Sequence, residues 1–362
     1  MTLRICIRYA HAQHLFIHFI FKNFSMDTLS LLEKLASIKS PSGGEEEIAS
    51  FILGYLKKFG YKASMEGLNV LVSPEKEFIV ASHMDTFKVL SKFSFDGEYA
   101  YGTGVCDAKA SIVAILLALE RIGSEKLNFG VVFFGDEEGD GRGSEEYCKV
   151  YKPRMAVVME PTDMAIANLQ YGGLELRVKA KGRAAHGAFP EMGENAIEKC
   201  IDALRKLGSI SWVKASVQYI RGGDPEDFVV PEECEARVEI FFKPDLAVGD
   251  VLSKTRGILC SDNLNLTVVD AYNGFISEKA PKLLEEAIRS LGYKVKYTEM
   301  LSWTDAVNLH EMASCDTAIF GPGELYACHT KWERVRVRDV NAAADILTAL
   351  NSLLGRSELK QN

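Results

Sequence analysis

The chain has 362 residues, and 42 lysines and arginines against 50 aspartates and glutamates give it a formal net charge of -8 at pH 7. A negative chain is a poor partner for nucleic acid, which is bound through basic surfaces. The length is sufficient for two domains, each with its own hydrophobic core.

Residues 1–25 differ from the rest of the sequence. They are apolar, contain several histidines and lack acidic residues. Their apolar run is too short to span a membrane, and no small-residue cleavage site follows it. His11, His14 and His18 have the spacing of one helix face and could imitate a metal site. We favour an N-terminal extension to a folded protein that begins at Met26.

The segment 26–168 alternates predicted helices with predicted strands. Helical periodicity appears at 29–36, 45–59 and 108–119, and strands are predicted at 68–72, 77–81, 129–134 and 156–159. The run at 129–134 is apolar throughout, as in a strand that is buried on both faces of a parallel sheet. This alternation predicts an α/β sheet with helices on both faces.

The segment 169–273 has a different pattern. A strand at 174–181 alternates polar and apolar residues, as in a half-exposed antiparallel sheet. It is followed by a helix at 195–207, strands at 213–220 and 234–242, a helix at 246–258 and a strand at 264–269. This β-α-β-β-α-β order predicts an inserted ferredoxin-like α+β domain. The α/β pattern returns and ends in a helix at 340–354, so segments 26–168 and 274–362 are predicted to form one domain.

An acidic motif, Gly-Asp-Glu-Glu-Gly at 135–139, directly follows the apolar strand at 129–134. Open α/β sheets bind their ligands at the carboxyl ends of strands. Two adjacent carboxylates are costly to desolvate unless a cation accompanies them. One carboxylate could therefore bind a metal while the other acts as a base beside it. A solvated acidic turn is the alternative for this motif taken alone.

Two further motifs place possible ligands next to strands. His83 and Asp85 are two residues apart, so their side chains point the same way on an extended chain. Asp85 could then accept the second ring N–H of His83 and orient the ring for a metal. Asp107 follows a glycine-rich turn at the start of a predicted helix, where it could bridge two metals or simply cap the helix.

Glu160 follows the predicted strand at 156–159, and His329 lies in a loop after a Gly-Pro-Gly turn at 321–323. Each of these positions is a weak signal alone. Their conjunction in this order, always at the end of a strand or in the loop after it, is highly specific.

The motifs resemble the di-zinc amidohydrolase family of aminoacylases, glutamate-type carboxypeptidases, acetylornithine deacetylases and succinyl-diaminopimelate desuccinylases. The resemblance extends from residue 26 to about residue 354. Within that family the chain is most similar to the archaeal branch that releases lysine or ornithine from an amino-group carrier protein. The cues are the compact length, Ser-Pro-Ser-Gly at 40–43 and the segment 321–333. The resemblance implies a zinc-peptidase-like catalytic domain with a mostly parallel central sheet and an inserted lid that mediates dimerisation.

The resemblance assigns five metal ligands: His83, Asp107, Glu160, Glu138 and His329. The first three would hold one zinc, and Asp107 would be shared with the last two at a second zinc in the same subunit, with cobalt able to replace zinc. Imidazole and carboxylate ligands suit these metals. Glu137 would be the general base, and Asp85 would orient His83.

A second motif, Ala-Ala-His-Gly at 184–187, lies in the inserted domain. In the family this histidine reaches the partner subunit's site and stabilises the oxyanion of the tetrahedral intermediate. His186 would then make a homodimer the active unit. A loop histidine that caps a helix is the alternative.

The sequence departs from the family in the inserted domain. Phe228 occupies a position where the family usually has asparagine, and Glu-Ile-Phe at 239–241 replaces the usual Asp-x-Arg. The lost arginine would hold a substrate carboxylate. Arg237 or Arg221 could take over that contact.

A basic run follows His329, with Lys331, Arg334, Arg336 and Arg338. The last three alternate and are predicted to share one strand face. This face could steer an acidic carrier protein towards the site, although such runs are usually solvated edges.

The leading prediction is a cytoplasmic di-zinc hydrolase that releases lysine or ornithine from an acidic carrier protein. Eight cysteines without a Cys-x-x-Cys pair are typical of reduced intracellular thiols. Rival activities are acetylornithine deacetylation, succinyl-diaminopimelate desuccinylation and dipeptidase or carboxypeptidase cleavage. A rival of another class is an inactive metal-binding scaffold. No membrane partner is predicted.

Overall fold

A computed structural model of the chain describes residues 26–259 and 263–358. The predicted extension 1–25, with His11, His14 and His18, lies outside the described residues. Within those residues, no helix is long and apolar enough to cross a membrane.

The main sheet and its helices are built from both ends of the described chain. The helices are α1 (Thr28–Ser37), α2 (Glu46–Lys58), α3 (Lys109–Ile122), α4 (Arg142–Val150), α7 (Lys279–Ser290), α8 (Ala306–Ala313) and α9 (Val337–Glu358). The strands are β1 (Ala63–Glu66), β2 (Asn69–Val72), β3 (Phe78–His83), β6 (Gly130–Phe134), β7 (Met155–Val158), β8 (Ile166–Gln170), β13 (Phe275–Ile276), β14 (Tyr297–Met300) and β15 (Asp316–Ile319).

The described strands of this sheet run in the order β1-β2-β6-β3-β7-β15-β8-β13, and β14 pairs with β8. Strands β6, β3, β7 and β15 are parallel to one another, and antiparallel strands flank them on both sides. The predicted α/β class with a mostly parallel central sheet is therefore confirmed. Because β6, β3 and β7 are neighbours and parallel, their carboxyl ends meet at one edge.

Two helical layers bury the central strands. Every residue of β3 and β6 is buried, which explains their continuous apolar sequence. Helix α3 is buried on nearly all sides because it packs between the sheet and α9. The opposite face of the sheet is covered by α4 and α8, which pack against each other. The rigid centre thus holds the strand ends where the acidic motif begins.

The inserted part forms a second sheet, with strands β9 (Gly172–Lys181), β10 (Lys214–Gly222), β11 (Glu233–Phe242) and β12 (Leu264–Tyr272) and helices α5 (Ala196–Gly208) and α6 (Val248–Leu259). The strands are antiparallel in the order β10-β11-β9-β12. This confirms the ferredoxin-like β-α-β-β-α-β order. The limits 169 and 273 of the inserted domain stay a prediction, as does its role as a lid.

The two faces of this second sheet differ. Leu174, Leu176 and Val178 of β9 are fully buried against the apolar sides of α5 and α6. The alternate residues of β9 are polar and face away from these helices, as the period of two requires. This polar face matters below because part of it forms a wall of the functional cleft.

The predicted single strand face for Arg334, Arg336 and Arg338 is wrong. Strand β16 (Arg334–Arg336) is short, and α9 begins at Val337, so Arg338 belongs to the first turn of a helix. β16 pairs with β5 (Tyr99–Tyr101), and β5 pairs with β4 (Ser94–Phe95).

The arginines of β16 already have partners within the chain. Arg336 Nε lies 3.2 Å from a Glu98 carboxylate oxygen, and Arg334 Nη2 lies 3.5 Å from Glu324. Both guanidinium groups also lie over the ring of Tyr99, at 4.7 and 5.0 Å from its centroid. Their charge is therefore largely balanced, which favours the interpretation of a solvated edge over that of a steering surface.

Candidate metal centre

The acidic motif and two predicted ligands converge at one edge of the main sheet. His83 is the last residue of β3, Glu160 follows β7 by two residues, and Glu137 and Glu138 lie in the loop after β6. Because these three strands are adjacent and parallel, the four side chains reach the same space. This is the edge at which α/β sheets bind ligands.

The first predicted ligand group is assembled and buried. The Nε2 atom of His83 lies 3.0 Å from Asp107 Oδ1 and 3.7 Å from Glu160 Oε1. These residues can present one ligand atom each within 4.8 Å of one another.

The second predicted group shares Asp107 with the first. His329 Nε2 lies 2.8 Å from Glu138 Oε1 and 3.6 Å from Asp107 Oδ2. Asp107 thus faces His83 with one oxygen and His329 with the other. The alternative role of Asp107 as a helix cap is not realised, because α3 is preceded by Ala108 and has no side-chain cap.

Several buried carboxylates give the pocket a negative electrostatic character. Burial, and then the charges of Glu160, Glu138 and Asp305, raise the pKa of Glu137 well above its usual range. Burial likewise raises the pKa of Glu160, and Glu160 Oε1 has no hydrogen-bond partner among the described residues. These carboxylates surround an inner pocket of about 180 Å³. Buried acids in this number either take up protons or are accompanied by a cation, and two imidazole and carboxylate donor sets fit transition metals such as zinc.

Asp85 contacts both His83 and the acidic loop. The Nδ1 atom of His83 lies 2.9 Å from the Asp85 backbone oxygen and 3.4 Å from the carboxylate, so the backbone oxygen is the closer acceptor. The carboxylate instead accepts the backbone N–H groups of Glu137 and Glu138, at 3.0 and 2.9 Å, and the Ser42 hydroxyl at 2.8 Å. Asp85 therefore holds both the candidate ligand His83 and the acidic loop in place.

Replacing Asp85 with asparagine should weaken metal binding about 10- to 100-fold, the usual cost of losing a group that supports ligands. Asparagine has one acceptor oxygen, so one of the two loop N–H groups would face an NH₂ group. The measurement is the zinc dissociation constant by competition with a chromophoric chelator. Asp345→Asn, which removes an exposed carboxylate paired with Arg121, is the matched control. Equal affinities for the two variants would contradict this role of Asp85.

Two buried glutamates support the centre, and sequence reasoning assigned no role to either. Glu45 accepts the backbone N–H groups of Gly43 and Asp136, both at 3.0 Å. Glu333 accepts those of Cys106 and Asp107, at 3.0 and 3.2 Å. Glu333 thereby holds the backbone that presents the shared ligand. The only sequence signal for Glu333 is its place four residues after His329.

Lys109 is a buried cation beside this support. Its side chain is only 2% exposed, and Nζ donates to the backbone oxygen of Ile38 at 2.7 Å. Burial, partly offset by the charge of Glu333, lowers the pKa of Lys109 from 10.5 to about 8. Between those values the unfolded chain binds more protons than the folded chain, so stability should rise with pH.

From pH 8 to pH 10, the free energy of unfolding of the unmodified protein should therefore rise by about 2 kcal/mol more than that of Lys109→Met. This difference follows from the pKa shift of Lys109. Denaturant unfolding of both proteins at the two pH values measures this difference. A parallel pH dependence of the two proteins would show that Lys109 does not titrate in this range.

His329 is the most accessible of the predicted ligands, since its side chain is 44% exposed. Its ring stacks on Phe87 with centroids 4.7 Å apart and planes at 15°. Phe87, which the sequence did not single out, follows the His83–Asp85 segment and so ties the two ligand loops together.

A cleft of about 860 Å³ opens from the centre towards the inserted sheet. Glu137, Glu138 and His329 line one side, and residues of β9, β11 and β12 line the other. The predicted substrate contact Arg237 lies in this wall, where its guanidinium binds the Glu175 carboxylate at 2.6 and 2.8 Å. Arg221, on β10, is not among the described residues that line the cleft.

His186 lies outside the centre of its own chain. It is exposed in the loop between β9 and α5, where its Nδ1 accepts the Ala188 N–H at 3.2 Å. The alternative role of a helix cap is not realised, because Asn195 caps α5. Whether His186 serves another subunit's centre stays a prediction.

The chain is similar to known proteins along most of its length. The model of Peptidase family M20/M25/M40 matches residues 79–352, a range that contains both candidate metal groups. A LysW-lysine/LysW-ornithine hydrolase from Sulfurisphaera tokodaii is 23% identical, over 89% of this chain and 94% of the relative. A probable carboxypeptidase from Talaromyces marneffei is 25% identical, over 87% and 83%. The solved structure of a tripeptidase from Staphylococcus aureus has a TM-score of 0.76 at 19% identity, over 91% of this chain and 98% of that chain.

Proposed function

The chain belongs to peptidase family M20/M25/M40, and from this premise we propose that it is a cytoplasmic enzyme that releases lysine or ornithine from an amino-group carrier protein. The reaction is hydrolysis of the amide bond on the α-amino group of the amino acid. The observation that carries the proposal is the pair of ligand groups that share Asp107 beside the buried carboxylate of Glu137. The name of the Sulfurisphaera tokodaii relative supports the choice of substrate.

The ligand residues fit two ions. His83, Asp107 and Glu160 would hold one, and Asp107, Glu138 and His329 would hold the other, with zinc as the metal and cobalt able to replace it. When bound, such ions supply positive charge that polarises the scissile carbonyl and lowers the pKa of water.

Glu137 is the proton carrier in this proposal. Its backbone N–H is held by Asp85, and its carboxylate lines both the inner pocket and the cleft. In this proposal the carboxylate takes a proton from the attacking water and returns it to the leaving amine, as a positioned general acid–base does.

A homodimer completes the proposal. Three strongly exposed apolar residues lie next to His186: Phe189, Phe228 and Val229, which are 47–72% exposed. An exposed apolar patch of this kind is typical of a protein–protein interface. In a dimer formed through this patch, His186 of one subunit would donate a hydrogen bond to the oxyanion in the other subunit's site.

Carboxypeptidase activity is the second candidate, favoured by the Talaromyces marneffei relative. The same residues would then act on a peptide. An inactive scaffold is disfavoured because Glu137, a carboxylate outside both candidate ligand groups, lines the same inner pocket as residues of both groups.

The decisive experiment compares amine release from three substrates: lysine linked to the terminal glutamate of the carrier, N-acetylornithine and a dipeptide. Zinc or cobalt is supplied, and a chelator-treated sample is the control. Preference for the carrier adduct that is lost on chelation is the expected result. Preference for the dipeptide would replace the proposal with the peptidase, and preference for N-acetylornithine would make the enzyme a deacetylase.

A further inference from the structure

A row of carboxylates crosses the inserted sheet on the face that lines the cleft. Glu175 of β9 lies directly opposite Glu239 of β11 on one side and Asp270 of β12 on the other. Like charges directly opposite each other destabilise an antiparallel pair. Three of them on adjacent strands are therefore expensive unless a cation lies among them.

The described residues of the cleft offer only one permanent cation to this row. Arg237 is the sole arginine or lysine among the described residues that line the cleft, and it is bound to Glu175. Glu239 accepts only the neutral amide of Gln218, at 2.8 Å, and Asp270 accepts the neighbouring Ala271 N–H at 2.8 Å. Within the described residues, neither Glu239 nor Asp270 forms an ion pair within 4.0 Å, and the one nearby cation, Arg237, whose charge also acts on Glu239, is already paired with Glu175.

Tyr272 provides an independent observation that points to a ligand at this wall. Its side chain is only 6% exposed, yet its hydroxyl has no hydrogen-bond partner among the described residues. The ring lies against the backbone of Gly173, where even a methyl group would come within 2.5 Å of the ring and hydroxyl. A buried hydroxyl is normally satisfied, and the residue that carries this one lines the cleft.

Tyr272 lines the same cleft as the row and as Glu137. Burial, and then the charges of Glu239, Asp270 and Glu137, raise the pKa of Tyr272. The phenol therefore stays protonated, and its oxygen can accept a hydrogen bond. A group bound here would be close to the reacting amide.

We propose that Glu239, Asp270 and the Tyr272 hydroxyl bind the terminal ammonium of the side chain of the released amino acid. The inference rests on the proposed function and names the residues that would select a cationic amino acid. An ammonium has three N–H donors and no acceptor, which matches two carboxylates and one phenol oxygen. The exposed Val269, beside Asp270 in the cleft wall, offers an apolar surface for the aliphatic part of the side chain.

The test compares lysine with norleucine, which has nearly the same shape but no charge. Hydrolysis is measured with the same acyl group on each amino acid, and binding of the two free amino acids is measured by calorimetry. Glu239→Gln and Asp270→Asn should each weaken the binding of lysine about 10- to 100-fold more than the binding of norleucine. Each should lower kcat/KM for acyl-lysine relative to acyl-norleucine by the same factor, which is the range for a hydrogen bond to a charged group. Tyr272→Phe should lower the same preference for lysine, by a smaller factor.

Glu235→Gln is the matched control. Glu235 lies on the same strand and face as Glu239 but pairs with Arg177 and Lys179, outside the described lining of the cleft. Its loss should leave the ratio of lysine to norleucine unchanged. Thermal unfolding of all variants checks that they fold.

The outcomes separate the two proposals. Equal binding of lysine and norleucine by the unmodified protein, or a preference that survives both Glu239→Gln and Asp270→Asn, would overturn the subsite while the hydrolase stands. Failure to hydrolyse every acylated amino acid would overturn the proposed function. In that case calorimetry still tests the subsite. A preference for binding lysine that Glu239→Gln abolishes would support the subsite, and the lack of any preference would overturn it.

Discussion

Glu137→Gln is expected to lower kcat about 10²- to 10⁴-fold, the usual contribution of a positioned general acid–base. Glutamine keeps the shape and the backbone N–H that Asp85 holds, but it cannot accept a proton from water. Initial rates with the preferred substrate measure the loss. The variant should still bind two metal ions per chain, because Glu137 belongs to neither ligand group.

The matched control for this change is Glu145→Gln, which removes an exposed carboxylate that pairs with Lys149 on α4. Its rate should equal that of the unmodified enzyme. If Glu137→Gln also kept full activity, proton transfer would have to be assigned to another group. If neither Glu137→Gln nor the control Glu145→Gln were active while both bound metal, the result would favour the inactive metal-binding scaffold.

The sequence predicted the buried elements well because their patterns are local. The apolar run at 129–134 became β6 (Gly130–Phe134), and the apolar helix at 108–119 became α3, extended by one turn. Burial on all sides leaves no polar residues to obscure such segments. The residues that the resemblance assigned to two ligand groups lie together at the strand ends, and their role as ligands stays a prediction.

The missed elements are short or exposed. β1 has three exposed residues of four, β4 has two residues and both are exposed, and β13 has only two residues. Helix α4 buries little more than Tyr147 and Cys148 along its polar sequence. Such elements owe their structure to pairing with distant segments, and no local periodicity indicates them.

The supports of the site were missed for a related reason. Glu333 and the Asp107 N–H that it accepts are 226 residues apart, and Glu45 and the Asp136 N–H are 91 residues apart. A single carboxylate in a polar loop has no distinguishing pattern before the fold brings its partner to it. The prediction for the basic run was wrong because a local pattern misled it. The alternation of Arg334, Arg336 and Arg338 suggested one strand, but α9 begins at Val337.

The departure from the family pattern at 239–241 gains a physical meaning from the fold. A glutamate at 239 lies in the wall of the cleft beside Glu175, where the sequence suggested only a lost carboxylate contact. The wall is therefore suited to cations more than to anions. This agrees with a lysine or ornithine side chain and disfavours acyl amino acids with acidic side chains at the same position.

His186→Ala is expected to lower kcat about 10²- to 10³-fold, the effect of removing one hydrogen-bond donor to an oxyanion. In the proposed dimer His186 serves the other subunit's site, so an intact His186 from another subunit should repair the loss. The test mixes equal amounts of His186→Ala and Glu137→Gln, dissociates the proteins and allows them to reassociate.

In a two-fold dimer, a hybrid of these variants has one site in which both Glu137 and a partner's His186 are intact. Random reassociation makes half of the dimers hybrids with one good site in two, so activity should return to about a quarter of the unmodified value. If His186 acted within its own chain, every site in the hybrid would lack one of the two groups, and activity would stay at the level of the separate variants. Recovery near one quarter therefore requires both a dimer and a histidine that crosses between its subunits.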